Sequence, residues 1–237
     1  MPIKVMILGL PRTGTTWLYK RLCLRLKEVG NWVCIFEPTN NEVMTHIVKG
    51  IKHVHDTEGD VPYDYDRLPQ DLIGLIHENS KWHREWSESP KPGRPFCGEA
   101  LHLILNTLDV LAPNVLVKDV HAWVYAQELT ERFRHVKFIL TNPDLNTFIE
   151  RMLKRYRTVK NPLDKAGIGK FLRYFTRGMY VLKDGEDAVR IEATAVWSIY
   201  QVILWNIKDR NNVRILNFSD RIPDTEVHNL IRWVLSG

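Results

Sequence analysis

The chain has 237 residues, of which 44% are hydrophobic and 26% are charged, and its formal net charge is +5. These values are typical of a globular protein with a packed core, and they exclude a low-complexity chain. The small positive charge favours an anionic ligand, but it does not by itself indicate nucleic-acid binding.

Five short apolar runs predict buried strands. None of them alternates polar and apolar residues, so each is expected to be covered on both faces, as in a parallel sheet. The runs cover residues 4–9, 32–36, 115–118, 136–140 and 213–218. Helical patterns are predicted between them over 15–29, 122–132, 145–156, 192–208 and 224–235. This alternation predicts an α/β fold of the P-loop type, a three-layer sandwich around a parallel sheet of about five strands.

Two polar segments interrupt the alternation of strands and helices. Residues 57–98 are rich in Trp, His and Pro, and residues 154–190 are rich in Lys and Arg. We interpret both as helical insertions, or lids, over the carboxyl ends of the strands, where ligands bind in such sheets. Solvated surface helices are the alternative. The whole chain, 1–237, is predicted to be one domain.

The three cysteines, Cys23, Cys34 and Cys97, are an odd number without a pairing rhythm. That pattern favours buried or idle thiols in a reducing compartment. The first apolar run is too short to span a membrane. The sequence therefore predicts a cytoplasmic protein with no membrane span.

The segment GLPRTGTTW, residues 9–17, joins the first predicted strand to the first predicted helix. A glycine-bearing turn in this position presents backbone N–H groups and a helix N-terminus to an anion. The expected ligand contacts come from Pro11, Arg12, Thr13, Gly14, Thr15, Thr16 and Trp17.

The spacing of Gly9 and Gly14 matches the ATP- and GTP-binding loop, but Thr15 occupies the position of its lysine. Because that lysine normally reaches the β- and γ-phosphates, its absence disfavours ordinary triphosphate chemistry. A cation stands earlier in the loop instead, as Arg12.

With this arginine, GLPRTGTTWL resembles the 5′-phosphosulfate loop of sulfotransferases that use 3′-phosphoadenosine-5′-phosphosulfate (PAPS). Weaker similarities follow in the family's order at Glu37-Pro38, Val117-Lys118-Asp119, residues 138–143, Trp197 and residues 213–220. The resemblance implies transfer of a sulfuryl group from PAPS to a hydroxyl or amine of a small-molecule or glycan acceptor. It also implies 3′,5′-ADP as the product, no required metal, and stacking of Trp17 on adenine.

The resemblance breaks at the 3′-phosphate site. The family's Arg and Ser correspond here to Thr141 and Ile149. Either Thr141 together with Arg151, Arg155 and the basic segment 154–190 holds that phosphate, or the donor is not PAPS.

Four residues are candidates for catalysis. Arg12 is expected to stabilise the leaving phosphate oxygen, since a guanidinium can hold phosphate bidentately. Lys118 either contacts the sulfuryl group or forms an ion pair with Glu37 or Asp119. The general base is expected to be His121, with Glu37 and Glu99 as alternatives.

Other functions remain open at this stage. A nucleotide-dependent kinase would need Mg²⁺ and a substitute for the missing lysine, and a binding protein that lost the chemistry would explain Thr141 and Ile149. Nucleic-acid binding lacks a recognition motif. His53 and His55 with Asp56, and His77 with His83, lack the spacing of metal ligands, so no metal site is predicted.

Overall fold

The computed structural model describes residues 4–51, 54–55, 59–88, 106, 114–158, 168–176, 179–181 and 184–236. None of the helices in these ranges combines the length and hydrophobicity that crossing a bilayer requires.

Seven strands and eight α-helices make up the described part of the chain. Strands β1 to β7 span Lys4–Gly9, Trp32–Phe36, Val54–His55, Gly59–Asp60, Asn114–Lys118, Val136–Pro143 and Val213–Phe218. Helices α1 to α8 span Thr15–Val29, Asn41–Val48, Gln70–Glu88, Ala126–Arg132, Leu145–Thr158, Gly169–Phe175, Glu186–Ile207 and Asp224–Leu235. Two 3₁₀ turns lie at Tyr65–Arg67 and Ala122–Tyr125.

The central sheet has five parallel strands in the order β2-β5-β1-β6-β7, and β3 and β4 form a separate antiparallel pair. From β1 the chain crosses to β2 at one edge of the sheet, whereas from β6 it crosses to β7 at the opposite edge. The order therefore reverses between β1 and β6. In open α/β sheets ligands bind at such a reversal, outside the carboxyl ends of the strands.

Helices cover both faces of this sheet, which gives the predicted three layers. Neighbouring residues of β1 point to opposite faces, so Val5 and Ile7 pack with α1 and α8 in one core. Met6 and Leu8 pack in the other core, with side chains of α3, α4, α5, α6 and α7. All six residues of β1 are buried, and this burial explains the unbroken run of residues without polar side chains from Val5 to Gly9.

The structure confirms the predicted fold class. Helix α7 begins at Glu186, six residues before the predicted start, and α2, which was not predicted, follows β2. The interpretation of 57–98 and 154–190 as lids stays a prediction, since residues 89–105 and 159–167 lie outside the described part.

The expectation of buried or idle thiols is right about burial for two of the three cysteines, but these two are not free thiols. Cys23 of α1 and Cys34 of β2 are fully buried and form a disulfide, with Cα atoms 6.1 Å apart. Helix α1 packs across β2 on the same face of the sheet, so residues 11 apart in sequence meet there. The spacing of the cysteines in the sequence does not reveal that α1 packs across β2, so the disulfide could not be predicted from it. Cys97 lies outside the described residues.

Candidate functional site

The turn between β1 and α1, residues 10–14, is called the β1–α1 loop below. It follows Gly9 and contains two residues in the left-handed backbone region, Arg12 with φ 65° and Gly14 with φ 79°. Glycine adopts this region without cost, whereas arginine is disfavoured there. The loop thus holds Arg12 in a strained conformation, half-buried at the carboxyl end of β1.

Two buried hydroxyls support the loop from the sheet. The Thr13 hydroxyl donates to the Leu10 carbonyl at 2.6 Å, and it lies 2.6 Å from the Thr141 hydroxyl on β6. Because the Thr13 proton is already used, Thr141 is the donor in the second bond. Thr141 is opposite Gly9 in the register of β1 and β6. The structure therefore places Thr141, predicted as a cofactor ligand, beneath the loop with its hydroxyl bound to the protein.

Arg151 on α5 holds the loop from the side. Its guanidinium donates to the carbonyl of Arg12 at 3.1 Å and to the carbonyl of Asp220, and it lies 5.5 Å from the ring centre of Phe218. Arg151 was predicted to hold the 3′-phosphate. Here its donors connect the β1–α1 loop to the segment that follows β7.

The N-terminus of α1 suits an anion. No side chain caps it, and no acidic residue lies in its first turn. Thr15 and Thr16 are buried at the start of the helix, while Pro11 is half-buried at the start of the loop. An uncapped N-terminus leaves backbone N–H groups and the positive end of the helix dipole available to negative charge. The predicted adenine contact, Trp17, is half-buried, and the Arg21 guanidinium lies 5.5 Å from its ring centre.

A buried ion pair joins the ends of β2 and β5. The Lys118 ammonium contacts the Glu37 carboxylate and lies 4.4 Å from the ring centre of Phe36. Only 1% of the Lys118 side chain and 8% of the Glu37 side chain are exposed. Asn40 donates to the other Glu37 oxygen at 2.7 Å, and Glu37 itself has a left-handed backbone, with φ 47°. The sequence left two interpretations of Lys118, contact with the sulfuryl group or an ion pair with Glu37 or Asp119. In the structure Lys118 forms the ion pair with Glu37.

This environment lowers the pKa of Glu37. Burial alone would raise it, but the charges of Lys118 and His121 and the hydrogen bonds from Lys118 and Asn40 outweigh burial and lower the pKa to about 2. A carboxylate with so low a pKa is a poor proton acceptor near neutrality.

The low pKa of Glu37 predicts a loss of stability in acid. The folded-state pKa lies below the ordinary value of 4.5. The ionised carboxylate therefore contributes stability above that value, and the contribution is lost as the pH falls toward the folded-state pKa. Between about pH 5 and about pH 3, the wild type should lose about 2 kcal/mol more unfolding free energy than Glu37→Gln. Denaturant titrations at both pH values measure this difference, and equal losses in the two proteins would contradict the shift.

Asp119 fixes the backbone beside this pair. Its carboxylate accepts bonds from the amide and hydroxyl of Thr39, at 3.1 Å and 2.6 Å, and from the amides of His121 and Ala122, at 2.8 Å and 3.2 Å. It is fully buried. Asp119 thus joins the segment after β2 to the turn after β5. This bridging role of Asp119 was not predicted, although an acidic residue directly after a buried strand was a usable signal.

His121 follows on the same turn. Its ring is half-buried and stacks against Phe171 of α6, with ring centres 6.4 Å apart. Its backbone amide donates to the Asp119 carboxylate, which also accepts bonds from Thr39 after β2, so the turn carrying His121 lies near the end of β2 as well. The structure thus brings His121, Glu37 and Lys118 to neighbouring strand ends. Glu99, the third candidate base, lies outside the described residues.

Both carboxylates at these strand ends already have partners on each oxygen. Lys118 and Asn40 bind one oxygen each of Glu37, and each Asp119 oxygen accepts two bonds. Within the described ranges, no three His, Cys, Asp or Glu side chains come together as metal ligands.

Neither protein-family models nor curated proteins give a match to the sequence. Solved structures do resemble the fold. A shikimate kinase from Bacteroides thetaiotaomicron has a TM-score of 0.50 at 12% identity, with 98% of each chain covered. A sulfotransferase from Alicyclobacillus acidocaldarius has a TM-score of 0.48 at 13% identity, covering 99% of this chain and 81% of the other. The likeness to the shikimate kinase shows a shared α/β fold of the P-loop type and nothing about activity.

Proposed function

We propose that the chain binds a phosphorylated adenine nucleotide at the β1–α1 loop and transfers a sulfuryl group from PAPS to a hydroxyl or amine acceptor. The observation that carries the proposal is the loop itself: Arg12 is presented between Gly9 and Gly14, and threonine stands where a nucleotide kinase has lysine. The loop lies at the reversal of strand order, where such sheets bind ligands.

The residues fit the 5′ end of the proposed donor. The uncapped N-terminus of α1 and the Arg12 side chain can bind a phosphate or sulfate group. We assign binding of the 3′-phosphate to Arg155 on α5. Arg151 is not chosen, since its guanidinium already donates to two carbonyls of the protein. Trp17 is assigned to adenine, on the resemblance alone.

When bound, PAPS would supply a sulfuryl group for in-line transfer, leaving 3′,5′-ADP. The chain's own residues position the reactants and stabilise charge. Arg12 neutralises the charge that develops on the leaving phosphate oxygen. His121 takes the acceptor's proton, because the low pKa of Glu37 makes that carboxylate the weaker base. Lys118, held by Glu37, fixes the strand ends around the site.

Replacing Arg12 with alanine tests the proposed site. Loss of a charged, bidentate donor should weaken binding of 3′,5′-ADP by about 10-fold to 100-fold, while Arg12→Lys, which keeps the charge, should lose less. Calorimetric titration of each variant measures the affinity. Arg25→Ala, in the last turns of α1 and away from the β1–α1 loop, is the control and should bind like the wild type.

The same titration distinguishes the proposal from its rivals when ATP with Mg²⁺ is run in parallel. Binding of 3′,5′-ADP alone supports the sulfotransferase proposal. Binding of ATP alone would overturn it in favour of a kinase, and binding of neither would favour a relative without activity. Unchanged 3′,5′-ADP affinity in Arg12→Ala would remove Arg12 from the site.

A further inference from the structure

The outer face of helix α7 carries a row of apolar and small side chains, called the α7 stripe below. Its members are spaced four, three, four and three residues apart, a spacing that puts them on one face of a helix. They are Ile191, Ala195, Ser198, Val202 and Trp205. Ile191, Val202 and Trp205 are 66%, 61% and 69% exposed, so the stripe faces away from the core.

The opposite face of α7 is buried in the core of the protein. Its side chains there include Val189, Val196, Tyr200 and Leu204. The helix is therefore apolar on both faces, and a helix of that kind is normally covered on both sides. Three large apolar side chains exposed along one stripe indicate a surface that binds another protein.

The hydroxyl groups on and beside the stripe are already bonded within the helix. The Ser198 hydroxyl donates to the Thr194 carbonyl at 2.9 Å, and the Thr194 hydroxyl donates to the Arg190 carbonyl at 2.8 Å. Hydroxyls bonded in this way can be buried while their protons keep a partner. Covering the stripe with another apolar surface therefore leaves neither hydroxyl proton unsatisfied.

The order of side chains along the stripe matches itself when it is reversed. Ser198 stands at the centre, seven residues from Ile191 and seven from Trp205. In an antiparallel pair with a two-fold axis at Ser198, Ile191 meets the partner's Trp205. Val202 likewise meets the partner's Ala195. Such matching is what a two-fold interface requires, because each contact between two positions occurs twice. The small central residues allow the two helices to approach closely.

Charged residues at the two ends of α7 favour the same antiparallel arrangement. At 3.6 residues per turn, Asp187, Arg190 and Lys208 fall on one side of the stripe, and all three are exposed. An antiparallel two-fold pair keeps this side of both copies together, so Lys208 can pair with the partner's Asp187. Arg190 can pair with the partner's Asp209, which is also exposed. A parallel pair would move these sides apart and would align the two helix dipoles unfavourably.

We infer that the α7 stripe binds the α7 stripe of a second copy of this chain, with the two helices antiparallel about a two-fold axis at Ser198. The stripe is about 21 Å long. An interface of this length lies at the small end of specific interfaces, near about 1,200 Å² in total, so the dimer should dissociate at about 1–100 µM. The inference does not depend on the proposed activity of the β1–α1 loop.

Sedimentation equilibrium of the full chain tests the dimer over protein concentrations from about 1 µM to about 1 mM. The wild type should show an equilibrium between monomer and dimer. Ser198→Arg places two cations against each other at the two-fold axis and should raise the dissociation constant about 100-fold. Val29→Arg, at a position of α1 that is 58% exposed, is the control and should leave the dissociation constant unchanged.

An exchange of charges tests the direction of the pair and leaves the stripe itself intact. Asp187→Lys and Lys208→Glu should each raise the dissociation constant about 3-fold to 10-fold, because like charges then meet. The double variant keeps the net charge of the wild type and should recover most of the lost affinity. If Ser198→Arg folds poorly, this exchange still gives the test, since both positions are exposed.

Three results would each overturn the inference. The first is a wild type that stays monomeric up to about 1 mM. The second is a dimer that folded Ser198→Arg leaves intact, and the third is a dimer that both single charge changes weaken and the double variant does not restore.

Discussion

Replacing Gly9 with alanine should destabilise the fold and abolish nucleotide binding together. A Cβ at Gly9 would overlap the Thr141 hydroxyl, and it would lie 3.0 Å from the Thr13 hydroxyl and from the Thr15 methyl group. These atoms are on short side chains that are buried and hydrogen-bonded, so they cannot move aside cheaply. Overpacking of this kind should cost about 3 kcal/mol of unfolding free energy. Denaturant unfolding and 3′,5′-ADP titration measure the two effects.

A glycine elsewhere in the chain gives a matched control for that substitution. Gly74 lies in the second turn of α3, and a Cβ there would meet nothing within 4 Å. Gly74→Ala should therefore stabilise the protein, by at most about 1 kcal/mol, because alanine favours a helix. Adding Thr141→Ala to Gly9→Ala removes the main overlap and should recover part of the lost stability. Wild-type stability and ligand affinity in Gly9→Ala would show that the loop does not pack as described.

Four of the five strands were predictable from sequence because β1, β2, β5 and β6 are buried almost throughout; the expected burial on both faces is wrong for β7, an edge strand that exposes Arg214 and Asn217. A strand such as 32–36 has no polar residue to interrupt its apolar run, so the run and the strand coincide. Helix α2 escaped prediction because it is short and buries only Val43 and Met44. The one local signal was Asn40, whose side chain accepts a bond from the amide of Glu42 and so caps the helix.

The site was predictable only where it is local in sequence. The β1–α1 loop is a continuous motif, and its position after β1 follows from the order of residues. The support beneath it is not local, because Thr13 and Thr141 are 128 residues apart and meet only through the register of β1 and β6. The sequence suggested that Thr141 and Arg151 were ligands. Their contacts with the loop depend on side-chain packing that no short pattern encodes.

Replacing Lys118 with methionine should be among the most destabilising changes available in this chain. Methionine leaves the buried Glu37 carboxylate without its cation, and breaking a buried ion pair from one side costs about 3–5 kcal/mol. Adding Glu37→Gln to Lys118→Met gives a double variant in which a neutral amide replaces the unpaired carboxylate. The double variant should therefore be about 2 kcal/mol more stable than the sum of the two single effects predicts. Denaturant unfolding of all four proteins gives this coupling energy.

An exposed ion pair elsewhere in the chain is the control for the loss of stability. The double variant tests whether Lys118 also has a role in catalysis. Lys81 pairs with Glu78 at the surface, where Lys81→Met should cost no more than about 1 kcal/mol. If the Lys118–Glu37 pair only fixes the strand ends, the double variant should bind 3′,5′-ADP and retain turnover. A double variant that is stable and binds the nucleotide, yet has lost turnover, would instead show that the ammonium acts on the transferred group. A coupling energy near zero would contradict the ion pair itself.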